Sequence, residues 1–138
     1  MPAKKFESKH ILLVDDDPLL RRLFGGKLAS MGHNVIYATN GNEGREVARR
    51  LTPDLILMDI NMPGYENGLE TAHRLKSEEQ TKHIPIILLS NVDASVDAEK
   101  KIKELAADGF IHKSVELDEF ANRVTTFFTS QKKQQKKR

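Results

Sequence analysis

The sequence has no cysteine, and none of its apolar runs is as long as a membrane-spanning helix. Without cysteine, the chain can form neither disulfides nor thiolate metal sites. A membrane helix needs about 18 apolar residues in a row. The N-terminal stretch MPAKKFESK also lacks the apolar segment of a secretory signal. We therefore expect a soluble, cytoplasmic protein that makes no contact with a membrane.

Acidic residues are missing from the C-terminal end. The last seven residues, KKQQKKR, include five basic ones, and without these the chain has 17 basic and 20 acidic residues. We predict an N-terminal extension over 1–8, one folded domain over 9–131 and a disordered tail over 132–138. The tail is either a solvated end or a contact for nucleic acid or acidic partners. It has no aromatic residue for base stacking, so we expect no direct DNA binding.

Short apolar runs alternate with stretches of helical periodicity, which predicts a doubly wound α/β domain with a five-stranded parallel sheet. Three of the runs lack polar alternation, as is typical of strands covered on both faces. The predicted strands are 11–14, 35–38, 55–58, 86–89 and 110–112. A helix follows each strand. The first begins at Pro18 with Asp17 as its cap, and the fourth, around Ile102 and Leu105, has a thin apolar stripe.

Polar residues stand where four of the predicted strands end. Three consecutive acids, Asp15–Asp17, follow the first strand, while Asp59, Ser90 and Lys113 end the third, fourth and fifth. Ligands of open parallel sheets bind at these carboxyl ends. Oxygen ligands suit Mg²⁺, which relieves the repulsion between acids. A carboxylate can act as a nucleophile toward phosphorus, and lysine and serine can bind phosphate oxygens. Each residue alone has an ordinary explanation as a cap or surface group, but together they indicate phosphoryl transfer.

Four segments together closely resemble the receiver domain of bacterial two-component response regulators. These segments are ILLVDDDP, LILMDINMPG, IILLSN and GFIHK, and the resemblance extends over residues 9–129. It implies a flavodoxin-like (βα)5 fold with strand order 2-1-3-4-5. It also implies a phosphorylation-dependent switch that takes its phosphoryl group from a histidine kinase or a histidine phosphotransfer protein. Such a chain would catalyse only its own phosphorylation and autodephosphorylation, and it would not otherwise be an enzyme.

The resemblance also assigns roles to individual residues. Asp59 would accept the phosphoryl group, which Ser90 and Lys113 would then hold. Phe110 would be the switch aromatic that follows the movement of Ser90. The implied magnesium ligands are Asp16, Asp59, the backbone carbonyl of Asn61 and, through water, Asp15. The output would pass through the fourth helix, fifth strand and fifth helix to an unknown partner, and a homodimer stays open.

The sequence departs from the family pattern in three places. Ser114 follows Lys113 where the family has a proline after a cis bond, so we predict a trans bond here. Asn91 stands where a small residue is usual, and we expect it to crowd the phosphoryl pocket and slow exchange. The segment PGYENG makes the loop after Asp59 one residue longer, which leaves the start of the third helix open.

Three other functions remain as alternatives. A pseudo-receiver would bind partners without phosphorylation. The retained acids, Asp59, Ser90 and Lys113 argue against it, but the changes at Asn91 and Ser114 keep it as an alternative. An aspartyl phosphohydrolase would use the spacing of Asp15 and Asp17, although 138 residues leave little room for a substrate pocket. A flavin or nucleotide domain lacks support because neither G-x-G-x-x-G nor a P-loop follows the first strand. The five histidines have no zinc-ligand spacing.

Overall fold

The computed structural model describes residues 7–62, 67–90, 100 and 108–136, and its strands form one parallel sheet. The strands are β1 His10–Val14, β2 Asn34–Ala38, β3 Leu55–Asp59, β4 Ile86–Ser90 and β5 Gly109–His112. Their order is β2-β1-β3-β4-β5, which confirms the predicted topology. The helices are α1 Pro18–Ser30, α2 Gly41–Leu51, α3 Gly68–Ser77 and α4 Leu117–Lys136.

Alternate residues of the central strands enter two separate core layers. One layer joins Leu12, Ile56 and Leu88 to α2 and α3, which contribute Ala48 and Leu75. The opposite layer contains the neighbours of these strand residues and side chains of α1 and α4. β3 and β4 are buried along their whole length. Helices therefore cover both faces of the sheet, as the unbroken apolar runs predict.

α4 corresponds to the fifth predicted helix. It continues through residues 132–136, which the sequence analysis placed in a disordered tail. No proline or glycine occurs there to end the helix, and lysine and glutamine are good helix formers. The predicted fourth helix, with Ile102 and Leu105, lies outside the described residues apart from Lys100, which is helical. In the described part of the chain, no helix is long and apolar enough to cross a membrane.

The start of α1 separates the third acid from the first two. Asp17 is the N-cap, and its Oδ1 accepts a hydrogen bond from the Leu19 amide at 2.9 Å. Pro18 occupies the first helical position, where a backbone N–H would have no partner within the helix, so its absence costs no hydrogen bond. At the other end, Gly32 has a φ of 96°, a left-handed conformation that favours glycine. The predicted cap of this helix is confirmed.

Two adjacent glycines inside α1 have different surroundings. A Cβ at Gly25 would collide with the Tyr37 ring, lying 2.7 Å from its Cε1 atom, whereas a Cβ at Gly26 would meet nothing within 4 Å. Close packing against β2 therefore explains Gly25. Nothing in the structure explains Gly26.

We expect Gly26→Ala to raise the free energy of unfolding by about 1 kcal/mol, because alanine has the higher helix propensity and no neighbour is displaced. Chemical denaturation measures this, with Gly25→Ala as the matched variant. Gly25→Ala should gain nothing, since the Tyr37 ring, 44% exposed, would have to turn into solvent and lose its packing on α1. An equal gain in both variants would contradict this account of the pair.

Candidate functional site

The carboxyl ends of four neighbouring strands bring the predicted site residues to one edge of the sheet. Asp15 directly follows β1, Asp59 ends β3, Ser90 ends β4 and Lys113 directly follows β5. The register aligns these ends. Val14 of β1 lies beside Met58, and Asp59 lies beside Leu89. On the other side of β4, Ser90 lies beside His112. Residues distant in sequence are therefore adjacent in the fold.

Three carboxylates form an acidic cluster at this edge. Asp15 and Asp59 are fully buried and Asp16 is exposed. One oxygen of each lies within 4.8 Å of the other two. Asp15 is held in place by its Oδ1, which accepts the Asp17 amide at 2.9 Å, and by its carbonyl, which accepts Arg21 Nη1 at 2.8 Å. The consecutive acids thus have three different positions: buried, exposed and helix-capping.

Lys113 bridges the two buried carboxylates. Its Nζ lies 2.9 Å from Asp59 Oδ1 and 3.1 Å from Asp15 Oδ2, and its side chain is only 6% exposed. Its backbone amide donates to the Ser90 carbonyl at 2.7 Å, which fixes the chain beside β4. A single ammonium group therefore faces two carboxylates away from bulk water.

The protonation equilibria of the pair reflect this arrangement. Burial, together with the charge of Asp15, raises the pKa of Asp59 from 3.8 to about 6, although Lys113 and the Asn61 amide oppose the shift. Burial lowers the pKa of Lys113, but the hydrogen bond to Asp59 and the charges of both carboxylates raise it above its usual 10.5. At neutral pH the site therefore holds an ionised carboxylate at Asp59 beside a charged lysine.

The two buried carboxylates have few partners. Asp59 Oδ2 accepts no hydrogen bond from the described residues, and among these residues only Lys113 Nζ, at 3.1 Å, contacts Asp15 Oδ2. Leaving a charged oxygen buried without a donor or cation is costly. An all-oxygen donor set with one exposed carboxylate is the kind of site that Mg²⁺ occupies while keeping several waters. The residues present therefore fit this ion.

The backbone around Asp59 is fixed by the start of α3. The Asn61 amide donates to Asp59 Oδ1 at 3.1 Å, and the Gly68 amide donates to the Ile60 carbonyl at 3.1 Å. Asn67 and Glu70 form a capping box, so α3 begins at Gly68 despite the longer preceding loop. A Cβ at Gly68 would overlap the Asp59 carbonyl. The role of Gly68 was not predicted from the sequence, because it depends on how closely α3 approaches the end of β3.

The remaining predicted residues have the following positions. Phe110 on β5 is half-buried and packs against the core layer beneath α2 and α3. Ser90 is buried at the end of β4, and Asn61 is exposed just beyond β3. The described residues include no cis peptide bond, so the predicted trans bond before Ser114 is confirmed. Asn91 lies outside the described residues, and its effect on exchange stays a prediction.

The contacts of Arg21 and of the His112 side chain were not predicted from the sequence. Arg21 Nη1 donates to the Asp15 carbonyl. His112 Nδ1 accepts the amide of Ser114, in the turn that carries Lys113. Arg21 lies outside the four matching segments, and although His112 lies in GFIHK, that segment does not indicate where its ring binds.

Comparisons with known proteins agree with this geometry. Residues 11–125 match the response regulator receiver domain family. The polar-differentiation response regulator DivK of Brucella anthropi is 31% identical over 119 residues, covering 86% of this chain and 95% of the relative. DivK of Brucella ovis is 31% identical over 120 residues, covering 87% and 96%.

Solved structures resemble the whole described fold. Chemotaxis protein CheY4 of Vibrio cholerae superposes with a TM-score of 0.81 at 25% identity, covering 88% of this chain and 99% of that one. The BeF3-activated receiver domain of RstA from Klebsiella pneumoniae has a TM-score of 0.75 at 28% identity, covering 86% and 97%. The family match covers most of the chain, and the curated relatives align over nearly their full length. This chain therefore belongs to the response regulator receiver domain family.

Proposed function

We propose that the chain is a phosphorylation-controlled switch in which Asp59 accepts a phosphoryl group from a phosphohistidine of a kinase or phosphotransfer protein. Receiver domains are signalling switches, and the family match supports this class of function. The observation that carries the proposal is the buried Asp59 carboxylate, held 2.9 Å from Lys113 Nζ beside the acids Asp15 and Asp16.

The proposed reaction is a displacement at phosphorus. An Asp59 oxygen attacks the phosphorus atom, a P–O bond forms, and the P–N bond to the donor imidazole breaks. The imidazole leaves as the neutral base after taking a proton from solvent. Lys113 then neutralises charge on the phosphoryl oxygens, and the Ser90 hydroxyl donates a hydrogen bond to one of them.

The magnesium site in this proposal consists of Asp16, Asp59 and the Asn61 carbonyl, with Asp15 acting through water. The acidic cluster supports it, and so does the buried Asp59 Oδ2, which accepts no hydrogen bond from the described residues. When bound, Mg²⁺ would neutralise the carboxylates and the transferring phosphoryl oxygens. Asp15 contributes by holding Lys113 Nζ at 3.1 Å, so the ammonium is already positioned before a donor arrives.

Output in this proposal begins at Ser90 and Phe110. Ser90 would move toward the phosphoryl group, and the half-buried Phe110 would follow into the space beside β4. The surface of β5 and α4 would change as a result, and a partner protein would bind there. An open groove along this surface is lined by Phe110, Asn122, Arg123 and Phe127.

Intact-mass analysis with phosphoramidate, a small donor with a P–N bond, tests the proposal. We expect wild type to gain one phosphoryl group only with Mg²⁺, and Asp59→Asn to gain none. Asp54→Asn is the matched control, because Asp54 lies just before β3, at the end of the strand opposite Asp59, and its side chain accepts the His10 amide at 2.8 Å. A gain in Asp59→Asn equal to wild type would exclude Asp59 as the acceptor. No gain in wild type would favour a pseudo-receiver.

A further inference from the structure

The turn that follows β5 is held by side-chain hydrogen bonds in addition to its backbone hydrogen bond. Its backbone is closed by the Val115 amide, which donates to the His112 carbonyl at 3.2 Å. Lys113 and Ser114 are therefore the two central residues of a β-turn. The Lys113 amide takes no part in the turn's own hydrogen bond and donates to the Ser90 carbonyl of β4 instead. The position of the lysine backbone thus depends on the shape of this turn.

The His112 ring binds Ser114 twice. Its Nδ1 accepts the Ser114 amide at 3.2 Å and lies 2.7 Å from Ser114 Oγ. Because an N–H donates to Nδ1, that nitrogen carries no proton, and the hydroxyl is the donor in the second contact. The half-buried ring thus ties the end of β5 to the second central residue of the turn. A proline at position 114 would have neither of these donors.

The side chain of Lys113 needs such a restraint. A free lysine side chain has many accessible rotamers, and its placement between two carboxylates removes most of this freedom. Its Nζ lies 2.9 Å from Asp59 Oδ1 and 3.1 Å from Asp15 Oδ2. The backbone that carries it is held by the end of β5, by the Ser90 carbonyl and by the turn. We expect a rotation of the turn at Ser114 to redirect the Lys113 Cα–Cβ bond and to lengthen these contacts.

We propose that His112 is a positioning residue that acts through Ser114 to hold Lys113 against Asp15 and Asp59. A proline at position 114 would restrict the backbone covalently, whereas here the His112 ring restricts it through two hydrogen bonds to Ser114. This inference rests on the proposed function, because the value of a fixed Lys113 lies in the phosphorylation of Asp59.

The experiment compares His112→Phe with His112→Asn. Phenylalanine keeps the ring and loses the acceptor, whereas the Asn Oδ1 stands the same number of bonds from Cα as His Nδ1. With phosphoramidate and Mg²⁺, we expect His112→Phe to lower the maximal phosphorylation rate about tenfold with little change in the donor concentration at half-maximal rate. His112→Asn should stay within about twofold of wild type. Equal losses in both variants, or no loss in His112→Phe, would overturn the proposal.

Ser114→Ala supplies a second, independent variant. Ser114 is exposed, so its change to alanine does not disturb the core. It removes the hydroxyl and keeps the amide, so we expect a rate between wild type and His112→Phe. Combined with His112→Phe it should cause no further loss, since the acceptor is already absent. Additive losses in the double variant would show that the two residues act separately and would reject the proposed pair.

A measurement without a phosphodonor separates this inference from the proposed function. The ¹H–¹⁵N signal of the Lys113 ammonium is visible only while its hydrogen bonds protect it from exchange. We expect this signal in wild type and His112→Asn, and its loss by broadening in His112→Phe. If wild type is not phosphorylated, the proposed function fails and this signal alone decides the role of His112. A signal retained in His112→Phe would count against that role.

Discussion

Lys113→Met is expected to lower the free energy of unfolding by about 3–5 kcal/mol at pH 8 in the absence of divalent cations. The substitution leaves Asp15 and Asp59 buried without their shared cation, and an unpaired buried charge has a cost of this size. Methionine fills a similar volume, so loss of packing contributes little. The lysine side chain is 6% exposed, and solvent therefore screens the pair only weakly.

The loss should shrink as the pH falls. The pKa of Asp59 in the folded chain, about 6, is above its usual 3.8, so the folded state binds this proton more tightly than the unfolded state. Stability linked to Asp59 therefore decreases as the pH rises from about 4 to 6. Removing Lys113 raises this folded pKa further, because the lysine lowers it. Near pH 5 the variant then holds a neutral Asp59 and approaches wild type.

Denaturant titrations at pH 5 and pH 8 in chelator measure both effects. Lys82→Met is the matched control. Lys82 pairs with Glu79 on the surface, with side-chain exposures of 54% and 82%, and such pairs contribute about 0–1 kcal/mol. A deficit in Lys113→Met that stayed below that of Lys82→Met at pH 8 would contradict a buried, charged pair.

Most of the fold follows from local patterns of the sequence. The unbroken apolar runs of β1, β3 and β4 predict strands buried on both faces, and these strands form the centre of the sheet. Asp17 with Pro18 predicts the start of α1 because capping depends on adjacent residues. The end of α4 was less predictable. A lysine-rich helix end and a disordered tail have the same composition, and only backbone continuity distinguishes them.

In the candidate site, too, some features could be predicted from the sequence and others could not. Asp15, Asp59, Ser90 and Lys113 could be predicted because strand ends of a parallel sheet converge, so position along the chain implied position in space. The contacts that hold these residues in place could not be predicted. The His112–Ser114 pair depends on the rotation of one ring, and the fit of Gly68 depends on how closely α3 approaches β3. Neither property is encoded in a residue pattern.

Gly68→Ala is expected to destabilise the chain by about 3 kcal/mol and to slow phosphorylation of Asp59 by about 100-fold. The new Cβ would overlap the Asp59 carbonyl and lie 2.7 Å from the Asp59 carbonyl carbon and 2.8 Å from Ile60 Cα. These are backbone atoms at the end of a buried strand, so no side chain can rotate away. Either α3 moves outward or Asp59 shifts away from Lys113, and both changes disturb the site.

The sign of the change in unfolding free energy shows whether the new Cβ clashes with the backbone of β3. Gly68 does not have a positive φ, and alanine is the better helix former, so without a clash the substitution would stabilise α3 by up to about 1 kcal/mol. Gly109→Ala is the matched control, because its Cβ would meet Ile87 at an ordinary 3.4 Å. Denaturant titration and the phosphoramidate rate should both change in Gly68→Ala and stay near wild type in Gly109→Ala. A stabilised, fully active Gly68→Ala would mean that α3 does not fix the position of Asp59.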